Sequence, residues 1–513
     1  MPHILLYNPP SSSSRKPILP MSLLALGQIL EGEFEYSIVD GNLVGDGVAV
    51  LEREIRTTGA DILAVTVMPG PQLLDAVPTC KEIKRCFPEL TIVWGGYFPS
   101  QHFDVCLKAD YVDYVVRGHG EFSFRALVRA LRAGDRNPVL PGLAYRHPST
   151  GEREVTEVGS SPLRVRADSI TDLGTAPIPH PRDLPDVFPY HKVDVPRYLR
   201  KTFMGKRTLP HHSSYGCPFF CNFCAVVNMV NGGWKAQTAE QVAKVAQHLV
   251  KTYGVDAIEF DDNNFFTAEA RVAEFCERIM AMGVQIGWWG EARIDTMMKY
   301  SDKTWALMRD AGLRMVFLGA ESGSDETLAR MNKGGTASAE KTLEIASKMQ
   351  RYGIVPEMSF VLGNPPDPET DARQTMDFIR KVKRVNPATE IIMYMYTPVP
   401  LAGELYEQAK AEGFAFPETL EAWISPAWQE FSQRRSTHVP WLQDPIQRRI
   451  QNFQWVLNAY YPTMTDITMS AFKRLALRAI SAWRYHLGVY ALPYELKAVH
   501  RVLAYQRPET SGF

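Results

Sequence analysis

Tyr215-Gly216-Cys217-Pro218-Phe219-Phe220-Cys221-Asn222-Phe223-Cys224 is the stretch on which the reading of this chain turns. Three of the seven cysteines crowd into it with the spacing Cys-x3-Cys-x2-Cys. The other four, Cys80, Cys86, Cys106 and Cys276, stand apart. An odd cysteine count in a chain of 513 residues argues against a disulfide framework and for one metal site in a cytoplasmic protein. Thiolates select zinc or iron–sulfur centres. A structural zinc site takes four ligands, commonly in Cys-x2-Cys pairs. No fourth cysteine lies near, so zinc would need His211 or His212. Three thiolates on a four-iron cluster instead leave one iron open, which catalysis requires. Phe223, between two of the thiols, is placed to shield such a cluster from water and so to affect its potential.

Downstream, apolar strand-like runs alternate with amphipathic helical ones. Strands are expected at 209–216, 255–260, 284–292, 313–320, 354–362 and 390–397. Helices are expected at 238–253, 267–282, 303–311, 324–352 (broken near Gly334-Gly335), 369–385 and 403–412. Thr238, Thr267 and Ser324 are suitable N-caps, and Gly254, Gly283, Gly312 and Gly353 suit the helix C-termini. Six βα units in succession indicate a partial (β/α)6 barrel, whose active site lies at the C-terminal strand ends.

Upstream, shorter strands at 3–7, 36–40, 62–67, 91–95 and 112–116 alternate with helices at 21–30, 72–85 and 121–132. That is the pattern of an α/β domain with a doubly wound parallel sheet, which binds ligands beyond the carboxyl ends of its strands. The strand-end loops Met68-Pro69-Gly70-Pro71, Gly95-Gly96-Tyr97 and Arg117-Gly118-His119-Gly120-Glu121 permit close backbone approach to a ligand, or serve only as turns. Residues 141–156 read as a small hairpin and 161–197, rich in Pro and Asp, as a linker. The expected division is 1–150 for the α/β domain, 151–200 for hairpin and linker, 201–414 for the barrel and 415–513 for a helical, aromatic-rich region. In that last region Phe472, Leu475, Ala479, Trp483 and Leu487 keep helical spacing among Lys473, Arg474, Arg478 and Arg484. The favoured reading packs this helix on the barrel with a solvated basic face; peripheral membrane contact is the alternative.

Composition narrows the function classes. With 56 Lys+Arg against 57 Asp+Glu, the chain does not coat nucleic acid by bulk charge. At 45% hydrophobic and 22% charged it is an ordinary globular mixture. No apolar run is long enough for a membrane-spanning helix, and no secretory signal opens the chain, so a cytoplasmic place is expected.

The cysteine loop after the first of six βα units resembles that of the radical S-adenosylmethionine (SAM) enzymes, over about residues 205–412. Together with the preceding α/β domain it resembles their cobalamin-binding branch, which includes methyltransferases and the anaerobic magnesium-protoporphyrin ester cyclase. The resemblance implies that Cys217, Cys221 and Cys224 bind a 4Fe-4S cluster whose open iron chelates SAM. One electron then cleaves the sulfur–C5′ bond, and the resulting radical abstracts hydrogen from an unactivated carbon. It implies SAM contacts at the strand ends: Asp262 for the ammonium, Glu291 and Arg293 (the latter for the carboxylate), Glu321 and Ser322, and Tyr396 beside the adenine. It implies cobalamin against Pro69, Gly70, Gly95, Gly96 and Tyr97. The axial-ligand motif Asp-x-His-x-x-Gly is missing, and His102 and His119 are read as structural. The expected reaction is methylation of a small molecule, bulky or lipid-like if Trp423, Trp428, Trp441, Trp455, Tyr460 and Tyr461 line a pocket. An electron donor such as flavodoxin or ferredoxin is implied. An oxidative cyclase, or a non-catalytic cobalamin, cluster or zinc protein, are the alternatives.

Overall fold

The computed structural model describes residues 3–12, 16–146, 164–165, 170–333, 336–400, 403–432, 439–467 and 469–503. The first sheet has eight strands: β1 (His3–Asn8), β2 (Tyr36–Asp40), β3 (Ala60–Thr66), β4 (Thr91–Gly95), β5 (Tyr114–Val116), β6 (Leu143–Arg146), β7 (Arg164–Val165) and β8 (Ile170–Asp172). Their order is β2-β1-β3-β4-β5-β6-β8-β7, and the first five are parallel. Alternate residues of each parallel strand feed opposite cores, as the two-residue period of a strand demands. Ile4, Leu6, Ile62 and Val93 meet the helices Met21–Leu30 and Glu121–Arg132. Leu5, Leu63, Ile92 and Val115 meet Pro71–Cys86 and its neighbours. This is the doubly wound sheet expected.

Between the two main sheets the expectation needs correction. β6 pairs antiparallel with β5 and with β8, while 147–156, the rest of the expected hairpin, lies outside the described residues. The stretch expected as a linker is packed instead. β8 extends the first sheet past residue 150, and Tyr190, Val195 and Tyr198 are buried in the barrel core. Tyr198 donates to Asp40 Oδ2 at 2.7 Å.

The second large sheet is parallel, in the order β16-β15-β14-β13-β12-β9: β9 (Thr208–His211), β12 (Ala257–Phe260), β13 (Gly287–Ala292), β14 (Leu313–Glu321), β15 (Val355–Leu362) and β16 (Glu390–Met395). Six strands with helices between them make the partial barrel. The expected strand 209–216 is divided: β10 (Ser214–Gly216) leaves the barrel sheet and pairs antiparallel with β11 (Trp234–Ala236). Thr238 and Ser324 cap their helices, but Thr267 does not; its hydroxyl donates to Asn264 O and the helix begins at Glu269. Ile258, Phe260, Trp288, Val316, Leu318, Met358 and Phe360 face the helices. The alternating positions, facing the concave side, carry Glu259, Trp289, Glu291, Phe317 and Glu357. Among the described residues, five helices of the C-terminal region close the fold, at Leu420–Trp423, Pro426–Ser432, Asp444–Tyr460, Ala471–Leu487 and Tyr494–Leu503.

Candidate active site

The cysteine loop begins where β10 ends. Gly216 turns the chain at φ +80°, and a Cβ there would lie 2.3 Å from Gly233 O. Only glycine fits so close to the backbone of the β10–β11 ribbon. Beyond it Cys221 is buried and Cys217 and Cys224 are half-buried, and none of the three is in a disulfide. Burial pushes the Cys217 and Cys221 thiols up, and the Arg293 guanidinium, with Lys333 beside Cys221, pulls in the opposite direction. Three thiols in one short loop, with two cations beside Cys221, are a donor set suited to a thiolate-bound cluster.

The loop is tied to the barrel by backbone contacts. Asn222 N and Nδ2 donate to Met331 O (3.1 Å) and Arg330 O (2.6 Å), and Asn332 Nδ2 donates to Phe220 O (2.9 Å). Phe223 packs into the core shared with the first sheet, whereas Phe220 is 52% exposed and gives no shielding.

The structure brings some expected SAM residues together and sets others apart. Asp262 is fully buried and accepts from Ser213 N and Oγ, both at 2.8 Å, and from Ser214 N. These contacts hold the chain where β9 gives way to β10. Arg293 is committed elsewhere. It pairs with Asp295 through two bonds (3.0 and 2.8 Å), donates to Lys333 O (2.5 Å) and to Cys221 Sγ (3.2 Å), and stacks 3.9 Å from the Phe219 ring centroid. It serves the cysteine loop rather than standing free for a carboxylate.

Glu321 sits at a shift in the β14–β15 register with φ +62°, and its carboxylate pairs with Lys333 Nζ. A bulged strand end re-aims a side chain in this way. Ser322 is wholly buried, accepting from Ser324 N at 3.1 Å and lying 3.3 Å from Thr375 Oγ1. It belongs to the strand-to-helix turn and not to a ligand pocket. Tyr396 is buried, 5.9 Å from the Trp441 ring, with its hydroxyl unpartnered among the described residues. Glu291 keeps its carboxyl on the concave face. Burial, with the Asp262 carboxylate nearby, pushes it up to about 8. Glu357, which accepts from Trp289 Nε1 at 3.0 Å, is also pushed up to about 8 by burial. Lys333, Asp295 and Arg200, which pairs with Glu259, escaped the sequence reading. Their partners are supplied from elsewhere in the chain, and the one local sign was Lys333 beside a suspected helix break.

On the first sheet, Gly70 (φ +87°) opens the helix after β3, and a Cβ there would meet only Ser432, at 3.9 Å. Pro69 precedes it in that open loop. Gly96 (φ +97°) would put a Cβ 3.1 Å from Thr66 Oγ1 and 3.2 Å from Val67 N. Close packing of β4 on β3 therefore already requires that glycine. Gly95 leaves ordinary space, and Tyr97 starts the helix Tyr97–Gln101. That helix reaches the cysteine loop: Gln101 Nε2 donates to Ala225 O (3.1 Å) and Asn228 Nδ2 donates to Gln101 Oε1 (2.7 Å).

His102, His119 and His211 are held by packing or hydrogen bonds within the fold. His102 packs against Trp423 (4.7 Å), Phe416 (4.9 Å) and Phe98 (5.1 Å), and burial pushes it down to about 3. His119 meets Tyr215 edge-on at 5.2 Å, and burial pushes it down to about 4. His211 has Tyr190 Oη and Gln237 Oε1 at its two ring nitrogens (3.4 and 3.3 Å), which removes it as a fourth zinc ligand. The aromatic residues expected to line a pocket are largely packed against one another. Trp423 and Trp441 are buried, and Tyr460 stacks on Tyr485 at 4.4 Å.

Comparison with known proteins bears on the fold and the family. Residues 212–379 match the Radical SAM superfamily and residues 12–128 match the B12 binding domain. An uncharacterised methyltransferase of Pyrococcus horikoshii is 26% identical over 385 residues, 74% of this chain and 78% of that one. The anaerobic magnesium-protoporphyrin IX monomethyl ester cyclase of Synechocystis sp. is 27% identical over 406 residues, 74% and 72% of the two chains. The radical SAM methyltransferase TsrM from Kitasatospora setae, solved with cobalamin and a 4Fe-4S cluster bound, superposes with a TM-score of 0.65 at 17% identity, covering 94% of this chain and 99% of that one.

Proposed function

We propose that this chain, a radical SAM enzyme carrying a B12-binding domain and working with a 4Fe-4S cluster, SAM and cobalamin, methylates an unactivated carbon of a small-molecule substrate. When bound, the cluster supplies the electron that cleaves SAM and cobalamin supplies the methyl group. Everything else falls to the chain. Cys217, Cys221 and Cys224 hold the cluster, and Arg293 fixes a positive charge against Cys221 Sγ. Glu291 is left to bind the amino-acid end of SAM, and Glu321 and Lys333 exchange their mutual ion pair for its ammonium and carboxylate. An ammonium beside Glu291 would draw off the proton that burial keeps there. The loops at Pro69-Gly70 and Gly95-Gly96-Tyr97 receive cobalamin. The observation that supports methyl transfer is the Gln101–Ala225–Asn228 contact. It joins the cobalamin-side strand ends to the chain just after the third cysteine, so both cofactors serve one substrate. A flavodoxin or ferredoxin donates the electron, in the cytoplasm, and any membrane contact is peripheral, through the C-terminal region.

Anaerobic reconstitution with iron and sulfide tests this. The wild type turns brown, and with reductant and SAM it yields both 5′-deoxyadenosine and S-adenosylhomocysteine. Cys217→Ala, Cys221→Ala and Cys224→Ala lose the colour. A colourless protein holding stoichiometric zinc, or neither product with several reductants, overturns the reading. The cyclase relative favours a second reading, ring formation without methyl transfer. It predicts 5′-deoxyadenosine without S-adenosylhomocysteine.

A further inference from the structure

We propose that the outward face of the helix Ala471–Leu487, with the turn after it, docks on an anionic lipid surface. This specifies the peripheral contact above. The stripe Phe472, Leu475, Ala479, Trp483 and Leu487 was expected to pack on the barrel. It points the other way. Phe472 is 79% exposed, Leu475 67%, Trp483 48% and Leu487 73%. The face that meets the rest of the protein is instead Leu477, Ser481, Arg484 and Tyr485. Leu492 and Tyr494, 62% and 66% exposed, continue the apolar surface beyond the helix, Leu492 at φ +47°. A run of large apolar side chains on one exposed helix face marks an interaction surface rather than scattered surface hydrophobicity.

Charge selects the occupant. Residues 467–494 contain no Asp or Glu. At 100° per residue Lys473 and Arg478 flank the apolar stripe on its two sides. The nearest acids are engaged: Asp466 is buried, and Glu495 pairs with Arg484. An apolar stripe bordered by cations, with an indole in it, has the build of a helix lying in a membrane interface. Two copies of this face would set like charges against each other, which argues against self-association. Anionic headgroups complement it, since a juxtamembrane Lys or Arg favours a negative leaflet. No helix of the described residues is long and apolar enough to cross a membrane, so the contact is superficial.

Co-sedimentation of the full chain with vesicles of phosphatidylcholine, with and without phosphatidylglycerol, is the test. The wild type should bind the phosphatidylglycerol vesicles, bind phosphatidylcholine alone much more weakly, and be released by salt. Leu475→Ser/Leu487→Ser alters only exposed side chains and should cut partitioning about tenfold or more. Lys473→Glu should cut it about fivefold or more. Both variants should keep the wild-type melting temperature. No binding to either vesicle overturns the inference together with the peripheral contact it specifies. Binding that ignores Leu475→Ser/Leu487→Ser leaves membrane contact standing but removes it from this face. A concentration-dependent dimer abolished by the same substitutions overturns the inference in favour of a second copy.

Discussion

Each nitrogen of the Arg293 guanidinium has a partner: Asp295, the Lys333 carbonyl or Cys221 Sγ. The Asp295 carboxylate, itself held by Thr336 Oγ1 at 2.5 Å, balances the charge without moving it from the sulfur. A fixed donor and positive charge at a thiolate ligand favour the reduced, more negative state of a cluster bound there. Arg293→Gln is therefore expected to lower the midpoint potential of the reconstituted protein at unchanged iron content. A redox titration followed by electron paramagnetic resonance reads this, and equal potentials in the two proteins would refute it. The residue type was legible from the sequence, because an arginine at a strand end near thiolates stands out. Its partner was not, because Cys221 lies 72 positions away. Asp262 teaches the same lesson. An acid after a strand suits a ligand or a helix cap, and only the fold turns it onto the Ser213 and Ser214 amides.

At the scale of elements, βα alternation placed most strands within a few residues of where they lie. The exceptions have local causes. The expected strand 209–216 carries His211-His212-Ser213-Ser214 in its middle, where Asp262 accepts from both serines and β10 leaves for a ribbon with β11. That ribbon launches the cysteine loop, so its geometry matters to the site. Gly216→Ala would strain a left-handed backbone and press a methyl group into Gly233 O. The variant should take up less iron on reconstitution and melt at a lower temperature, whereas full iron content would show that the ribbon does not set the loop. The helix Ala471–Leu487 erred in another way. Its period was right, but periodicity does not tell which side meets the protein when the buried side carries Ser481 and Arg484.

Across the whole molecule, the C-terminal region acts as a clasp. Trp423 lies 5.1 Å from Phe98 and 4.7 Å from His102 of the first domain, and 5.6 Å from Phe416. The same core contains Met395 and Tyr396 at the end of β16 and Trp441, whose indole donates to Gly363 O at 3.1 Å. Aromatic residues first read as pocket walls thus bind the two sheets to each other. Trp423→Ala removes a buried indole from that junction and should cost about 3–5 kcal/mol. Urea unfolding measures the loss, and a change under about 1 kcal/mol would show the junction to be dispensable. The sequence by itself determined the thiol spacing, the two α/β rhythms and hence the fold class, because ligand spacing and strand or helix period are properties of neighbouring residues. Only the tertiary structure decided which charges pair, which glycines answer to packing and which helix face stays in water. Those depend on residues tens or hundreds of positions apart meeting in space, where each buried polar group must find its partner.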